Sequence, residues 1–259
     1  IRDEGDIPYL TTTHATGKHS EPVWDIKYVS KNNNNPRQTL YTISTDGYIK
    51  TWSTKKGLIP SNIMHLKRIP NKAKLRRHQL EGKSRDSSAL CFDFINDNGT
   101  QYFAGSEDGI IHKCSINYNE QTLDNYYGHT GAVYKVKCSP FHSDIFISCS
   151  TDWSIILWSQ KYNKPKLILQ SVQEYIIDII WCPYNSCCFA SISKHGRIDI
   201  WNLQENILDP IMTFIINDKQ LSCISFCQET PILIVTFEDS SIDIYYIHNI
   251  SFQLLSNIN

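Results

Sequence analysis

Residues 127–160 read YGHTGAVYKVKCSPFHSDIFISCSTDWSIILWSQ, and the fold follows from how this stretch is parsed. A Gly-His pair, Gly128-His129, precedes the run AVYKVKC, in which apolar residues recur at every second position. A polar loop with Pro140 separates it from a second run, IFISCS, and Asp152 then opens a tight turn into SIILW. Period-two alternation and β-branched content predict three strands of about five to seven residues. Trp158 stands six residues after Asp152, and Trp153 occupies the turn position where glycine is usual, because the chain there often needs positive φ. His129, the cysteines and Asp152 are either a chemical site or parts of one strand-turn-strand unit among several.

Repetition decides between them. The same turn-plus-six pattern joins Asp46 to Trp52, Asp108 to Cys114, His195 to Trp201 and Asp239 to Tyr245. Successive turn residues are 62, 44, 43 and 44 positions apart, so one spacing contains an insertion. Each unit opens with an apolar run: PVWDIKYV, ALCFDFI, AVYKVKC, YIIDIIW and LSCISFC. Short strands in blocks of about 44 residues predict an all-β, WD40-type β-propeller of four-stranded blades. Five blades are legible, over about 19–62, 87–126, 127–170, 171–215 and 216–259. The run IPYLTTT within residues 1–18 reads as the last strand of a preceding blade, and the expected whole is a ring of seven. The chain begins with Ile rather than Met, which fits a fragment.

In such a unit the turn Asp, the Gly-His histidine, a strand serine and the Trp can form one buried hydrogen-bond chain. A buried polar group is costly unless it is satisfied, and this chain satisfies four together. The third blade supplies His129, Ser148 or Ser150, Asp152 and Trp158. The first supplies His19, Ser44, Asp46 and Trp52, and the fourth keeps Trp201. The second has no Gly-His and carries Cys114 at the Trp position, while the fifth carries Tyr245 there. These residues therefore read as structural partners rather than a catalytic dyad.

The totals exclude several classes. Net charge is -1, so nothing draws the whole chain to nucleic acid or an anionic membrane. No apolar run approaches the roughly 18 residues of a membrane span, and the polar first residues are no signal peptide. The nine cysteines, most of them in apolar runs (Cys91, Cys138, Cys149, Cys223), read as buried reduced thiols. They form no C-x-x-C spacing, so no metal is expected. Phosphate-loop, G-x-S-x-G and H-E-x-x-H patterns are absent, so neither enzyme activity nor a cofactor is expected. Charge is segregated: residues 55–85 hold ten Lys/Arg and one acid, which leaves fifteen basic residues against twenty-five acidic ones elsewhere. This insert is a solvated loop or a docking segment for an acidic partner. It lacks the aromatic groups a nucleic-acid surface would use. Candidate partner contacts are Trp153, Tyr126, Tyr175 and His195 near the turns, with Lys67, Arg68, Lys74, Arg76 and Arg77 of the insert. Loops on a rigid scaffold are the usual binding elements.

The segments PVWDIKYV, STDGYIKTW, CFDF, GIIHKCS, LDNYYGH, SPFHSDIFISCSTDWSIILW and GRIDIWNL resemble the WD domain of dynein intermediate chains, the axonemal branch above all. KKGLIPSNIMHLKR, IHKCSINYNEQTLDNYYGHTGAVYKV and DIWNLQENILDP are most similar to the intermediate chain of the two-headed inner-arm dynein, with the outer-arm type as near competitor. The resemblance covers about residues 17–246. It implies a non-catalytic subunit of a microtubule motor in the cytoskeleton of a cilium or flagellum axoneme, a cytoplasmic location. Its implied partners are a dynein heavy chain, a second intermediate chain, and light chains bound through an N-terminal region not in this sequence. The alternative function is a general WD-repeat scaffold of the ubiquitin-ligase receptor or chromatin type.

Overall fold

The computed structural model describes residues 11–13, 16–32, 35–53, 57–68, 86–95, 99–170, 174–217 and 219–247. They form nineteen strands in five antiparallel sheets. The first blade holds β1 (Val23–Asn32), β2 (Asn35–Ser44), β3 (Tyr48–Ser53) and β4 (Ile59–His65). The second holds β5 (Ala89–Ile95), β6 (Gln101–Ser106), β7 (Ile110–Ser115) and β8 (Asp124–Tyr127). The third holds β9 (Val133–Cys138), β10 (Ile145–Ser150), β11 (Ile155–Ser159) and β12 (Tyr162–Leu169). The fourth holds β13 (Ile176–Trp181), β14 (Cys188–Ser193), β15 (Arg197–Asn202) and β16 (Met212–Ile215). The fifth has three strands, β17 (Leu221–Phe226), β18 (Ile232–Phe237) and β19 (Ile242–Tyr246). In every sheet the strands lie in chain order, so each blade is a simple meander.

One sheet cannot bury both of its faces, and stacking solves this. First strands meet in succession: β1 touches β5, β5 touches β9, β9 touches β13, and β13 touches β17. Each seam holds its own apolar core. Tyr41, Ile43 and Ile49 meet Phe92 and Tyr102 between the first two blades. Phe103 and Tyr126 meet Phe146 and Trp158 at the next seam, Ile147 and Ile155 meet Phe189 and Trp201 at the third, and Ile198 and Ile200 meet Leu233 and Phe237 at the fourth. Carboxylates on first strands add polar ties between blades. Asp93 on β5 pairs with Lys27 of β1 and accepts from Cys138 N of β9 at 2.7 Å. Asp178 on β13 accepts from Ile224 N of β17 at 3.1 Å.

Among the described residues, the outward faces of the two terminal sheets are apolar and largely exposed. On β1, Trp24, Ile26 and Tyr28 share one face and are 50%, 57% and 63% exposed. On β19, Ile242, Ile244 and Tyr246 are similarly exposed. This corrects one expectation. Cys223 on β17 is exposed rather than buried: the register of β17 shifts between Leu221 and Cys223, and the thiol turns off the apolar seam toward Asp178 and Lys135. All nine cysteines are free. Of the run IPYLTTT, residues 7–10 lie outside the described residues and Thr11–Thr13 are not in a strand.

Candidate functional site

The turn between the second and third strands of a blade, and the loop leading into its first strand, meet on one face of the molecule. In the third blade four side chains join them. Trp158 Nε1 donates to Ser148 Oγ at 2.8 Å, and Ser148 Oγ lies 2.7 Å from His129 Nε2. His129 Nδ1 lies 3.1 Å from Asp152 Oδ2. With its oxygen accepting from the indole, Ser148 has a hydrogen for His129 Nε2, which leaves Nδ1–H to donate to Asp152. Asp152 also accepts from Thr130 N at 2.8 Å and from Ser154 Oγ at 2.6 Å. Burial alone would push this carboxyl up. The bonds from His129, Ser154 and Thr130 outweigh burial and hold it far below the usual carboxylate range. A carboxylate held this way, with its imidazole fixed between it and a serine, stabilises the blade and has little capacity to shuttle protons.

The first blade repeats the arrangement with one substitution that corrects the sequence reading. His19 Nε2 and Trp52 Nε1 both lie 2.8 Å from Thr42 Oγ1, and His19 Nδ1 lies 2.9 Å from Asp46. Ser44 is not in this chain. Its hydroxyl donates to Glu21 O and accepts from Asp46 N. Ser150 likewise accepts from Asp152 N and serves the turn, not the histidine. The rule is therefore turn residue minus four: Thr42, Ser148 and Ser191, the last accepting from Trp201 Nε1 at 2.9 Å. Sequence reasoning missed Thr42 because residues 42 and 44 point to the same face of β2. The register decides, since Trp52 lies opposite Leu40 and reaches diagonally. The same count gives Ala104 and Val235 in the second and fifth blades, where no such chain can form.

The candidate contacts divide. Tyr126 is fully buried, donates to Gln160 O, and stands edge-on to Phe146 and Trp158. It is core, not a contact; it points inward on β8 while Tyr127 points out. Tyr175 and His195 are exposed, and Trp153 is half-buried. Lys67 is exposed and its backbone pairs with that of Asp86 in an isolated antiparallel bridge, and exposed Arg68 forms an ion pair with Asp108. Lys74, Arg76 and Arg77 lie outside the described residues. Among the described residues no group of three or more His, Cys, Asp or Glu side chains could hold a metal ion.

A family model described as the dynein axonemal intermediate chain 3 WD40 domain matches residues 44–235. The chain belongs to the axonemal dynein intermediate chains. It is 35% identical to human dynein axonemal intermediate chain 4, over 96% of this chain and 30% of that protein. It is 31% identical to the ciliary dynein intermediate chain 2 of Heliocidaris crassispina, over 88% of this chain and 33% of that one. To the 78 kDa intermediate chain of the Chlamydomonas reinhardtii flagellar outer arm it is 28% identical, over 91% and 35%. The chain thus spans about a third of the length of the curated relatives it matches.

Proposed function

We propose that this WD propeller is a non-catalytic scaffold of an axonemal dynein complex that seats a dynein heavy chain and so supports ciliary or flagellar motility. The observation that carries the reading is the match of nearly the whole chain to axonemal dynein intermediate chains. The turn face supports it, because His19 and His129 are bonded to Asp46 and Asp152 and not presented to a reactant. Seating partners falls to half-buried Trp153 and to exposed Tyr175, His195, Lys67 and Arg68. Within the family, the inner-arm two-headed type is the reading we favour. A second intermediate chain and light chains are partners of the complete protein.

The ring is completed, in this proposal, by further blades of the same protein that cover Trp24, Ile26 and Tyr28 at one end and Ile242, Ile244 and Tyr246 at the other. Seven blades in all is the expected number. Two apolar faces of this kind are an aggregation liability when left open.

Capture with tagged full-length protein from ciliated cells tests the reading. Heavy chain should be the main motor subunit recovered, and the protein should sit along the axoneme. Recovery from nuclei or with ubiquitin-ligase subunits, and without heavy chain, would replace it with the general scaffold reading.

A further inference from the structure

Among the described residues the fifth blade has three strands, where each of the others has four. β19 pairs with β18 along one side, and no described strand takes its other edge. An open edge is a row of backbone donors and acceptors set to receive a strand. Beside it lies an apolar cleft of about 290 Å³, between Ile198, Ile200, Met212 and Phe214 of the fourth blade and Leu233 and Tyr245 of the fifth.

One recurring position marks the cleft as a gap in the seam. The residue three places after the turn residue has a fourth-strand neighbour in each four-stranded blade: Ile49 lies opposite Met64, Ile111 opposite Tyr126, Ile155 opposite Leu169 and Ile198 opposite Phe214. Met64, Tyr126 and Leu169 are 3%, 0% and 2% exposed, because the following blade closes over them. Phe214 is 46% exposed, and Met212 on the same face is 39% exposed. The Tyr245 ring stacks on Phe214 with 6.3 Å between centres and leaves the rest of it open.

The sequence supplies an occupant. Thirteen residues follow Tyr246, of which 248–259 lie outside the described residues. In the four-stranded blades the third and fourth strands are joined by residues 54–58, 116–123, 160–161 and 203–211. Connections of two to nine residues would start a fourth strand of the fifth blade between positions 249 and 256. Residues 249–255 read NISFQLL, so Ile250, Phe252 and Leu254 alternate with Asn249, Ser251 and Gln253. That is the period of a strand with one apolar face.

We propose that residues 249–255 are the fourth strand of the fifth blade, paired with the open edge of β19 and filling the cleft with Ile250, Phe252 and Leu254. Phe252 covers Phe214, as the third blade covers Tyr126. The segment is tethered within a few residues of its place, so little entropy is lost in bringing it there. The proposal goes beyond the scaffold reading and holds whichever partner the propeller seats.

Hydrogen exchange on the full-length protein tests it. Backbone amides in 249–255 should exchange at least about a hundredfold more slowly than in the unfolded chain. Exchange at the unfolded rate overturns the proposal. So does protection that is lost on dilution, which would mean the strand is traded with a second copy. A double-mutant cycle then assigns the cleft. Phe252→Ala and Phe214→Ala should each lower the melting temperature by about 3 °C or more, and the double variant should fall clearly short of their sum. Gln253→Ala, on the opposite face, should leave the melt unchanged. Additive losses, or a silent Phe252→Ala beside a costly Phe214→Ala, would put a different strand in the cleft and overturn the assignment.

Discussion

The second and third blades lie side by side, share one apolar core, and are held shut by different means. In the third, a four-membered polar chain runs from Trp158 through Ser148 and His129 to Asp152. In the second, Ala104 stands where Ser148 does and Cys114 where Trp158 does. Asp108 keeps its turn but takes Ser87 Oγ at 3.0 Å and Arg68 as partners instead of an imidazole. What remains is apolar and aromatic: Phe92, Phe94 and Tyr102 on one face, Phe103 and Tyr126 on the other. The fold therefore does not need the polar chain in every blade, because burial against a neighbour supplies cohesion by itself. The chain works as a unit, and a blade that loses the serine and the indole loses the use of the histidine too.

The largest effect separating the two blades is expected at the Trp position. Trp158 is buried, stacked on Phe146 with ring centres 5.9 Å apart, and bonded to Ser148. Trp158→Ala should destabilise by about 4 kcal/mol, from lost burial and the cavity left behind. Cys114→Ala, at the equivalent place, should cost about 1 kcal/mol. Urea unfolding of both variants measures the difference, and equal midpoints would erase the distinction between the blades.

Next comes the turn carboxylate. Asp152→Asn should cost about 2 kcal/mol, since it weakens charge-assisted bonds to His129 and Ser154. Asp239, at the same place in the fifth blade, is solvent-exposed and among the described residues has only Ser241 and Lys219 as partners, so Asp239→Asn should leave the melting temperature unchanged. Acid titration adds a sign. Asp152 has its folded pKa depressed below the ordinary 3.8. Its stabilisation is thus complete above that value and fades as pH falls through and below it. In Asp152→Asn the fall in stability below pH 4 should be visibly shallower than in wild type.

What could be read before any coordinates follows the same physical division. The five blades were legible because strand alternation and the fixed turn-to-aromatic spacing are local properties of the chain. His129, Asp152 and Trp158 were legible as partners because three residue types recur at set distances. Thr42 was not, since Ser44 shares its face and only the pairing register tells them apart. Tyr126 was misread as a loop contact, because the direction of a side chain on a four-residue strand depends on how that strand sits in its seam. Cys223 was misread because a register shift in β17 turns its side chain off the apolar seam, and a shift of register is set by the partner strand. Local pattern reaches as far as one blade, and what lies between blades has to be seen.

The smallest effect concerns the second blade and has the opposite pH window. His112 on β7 is buried and lies opposite Ala104, the position that holds Thr42 and Ser148 in the networks of the first and third blades. Its Nδ1 lies 2.7 Å from Asn125 Oδ1, and its Nε2 has no hydrogen-bond partner among the described residues. Burial lowers its pKa below the ordinary 6.5, and the bond to Asn125 only partly offsets this. The folded protein therefore refuses a proton that the unfolded chain accepts. Stability should be unaffected by this group above pH 6.5 and should decline as pH falls below it. His19 declines in the same window, since burial depresses it too, so wild type alone cannot isolate the second blade. The difference between wild type and His112→Leu can. The variant should lose part of the slope in melting temperature between pH 7 and pH 5, and the wild-type advantage over it should shrink as pH drops. Parallel slopes would mean that the buried imidazole takes up its proton as readily in the folded protein as in the unfolded chain. The second blade would then be hiding a polar partner for Nε2 and would resemble the third more than its sequence allows.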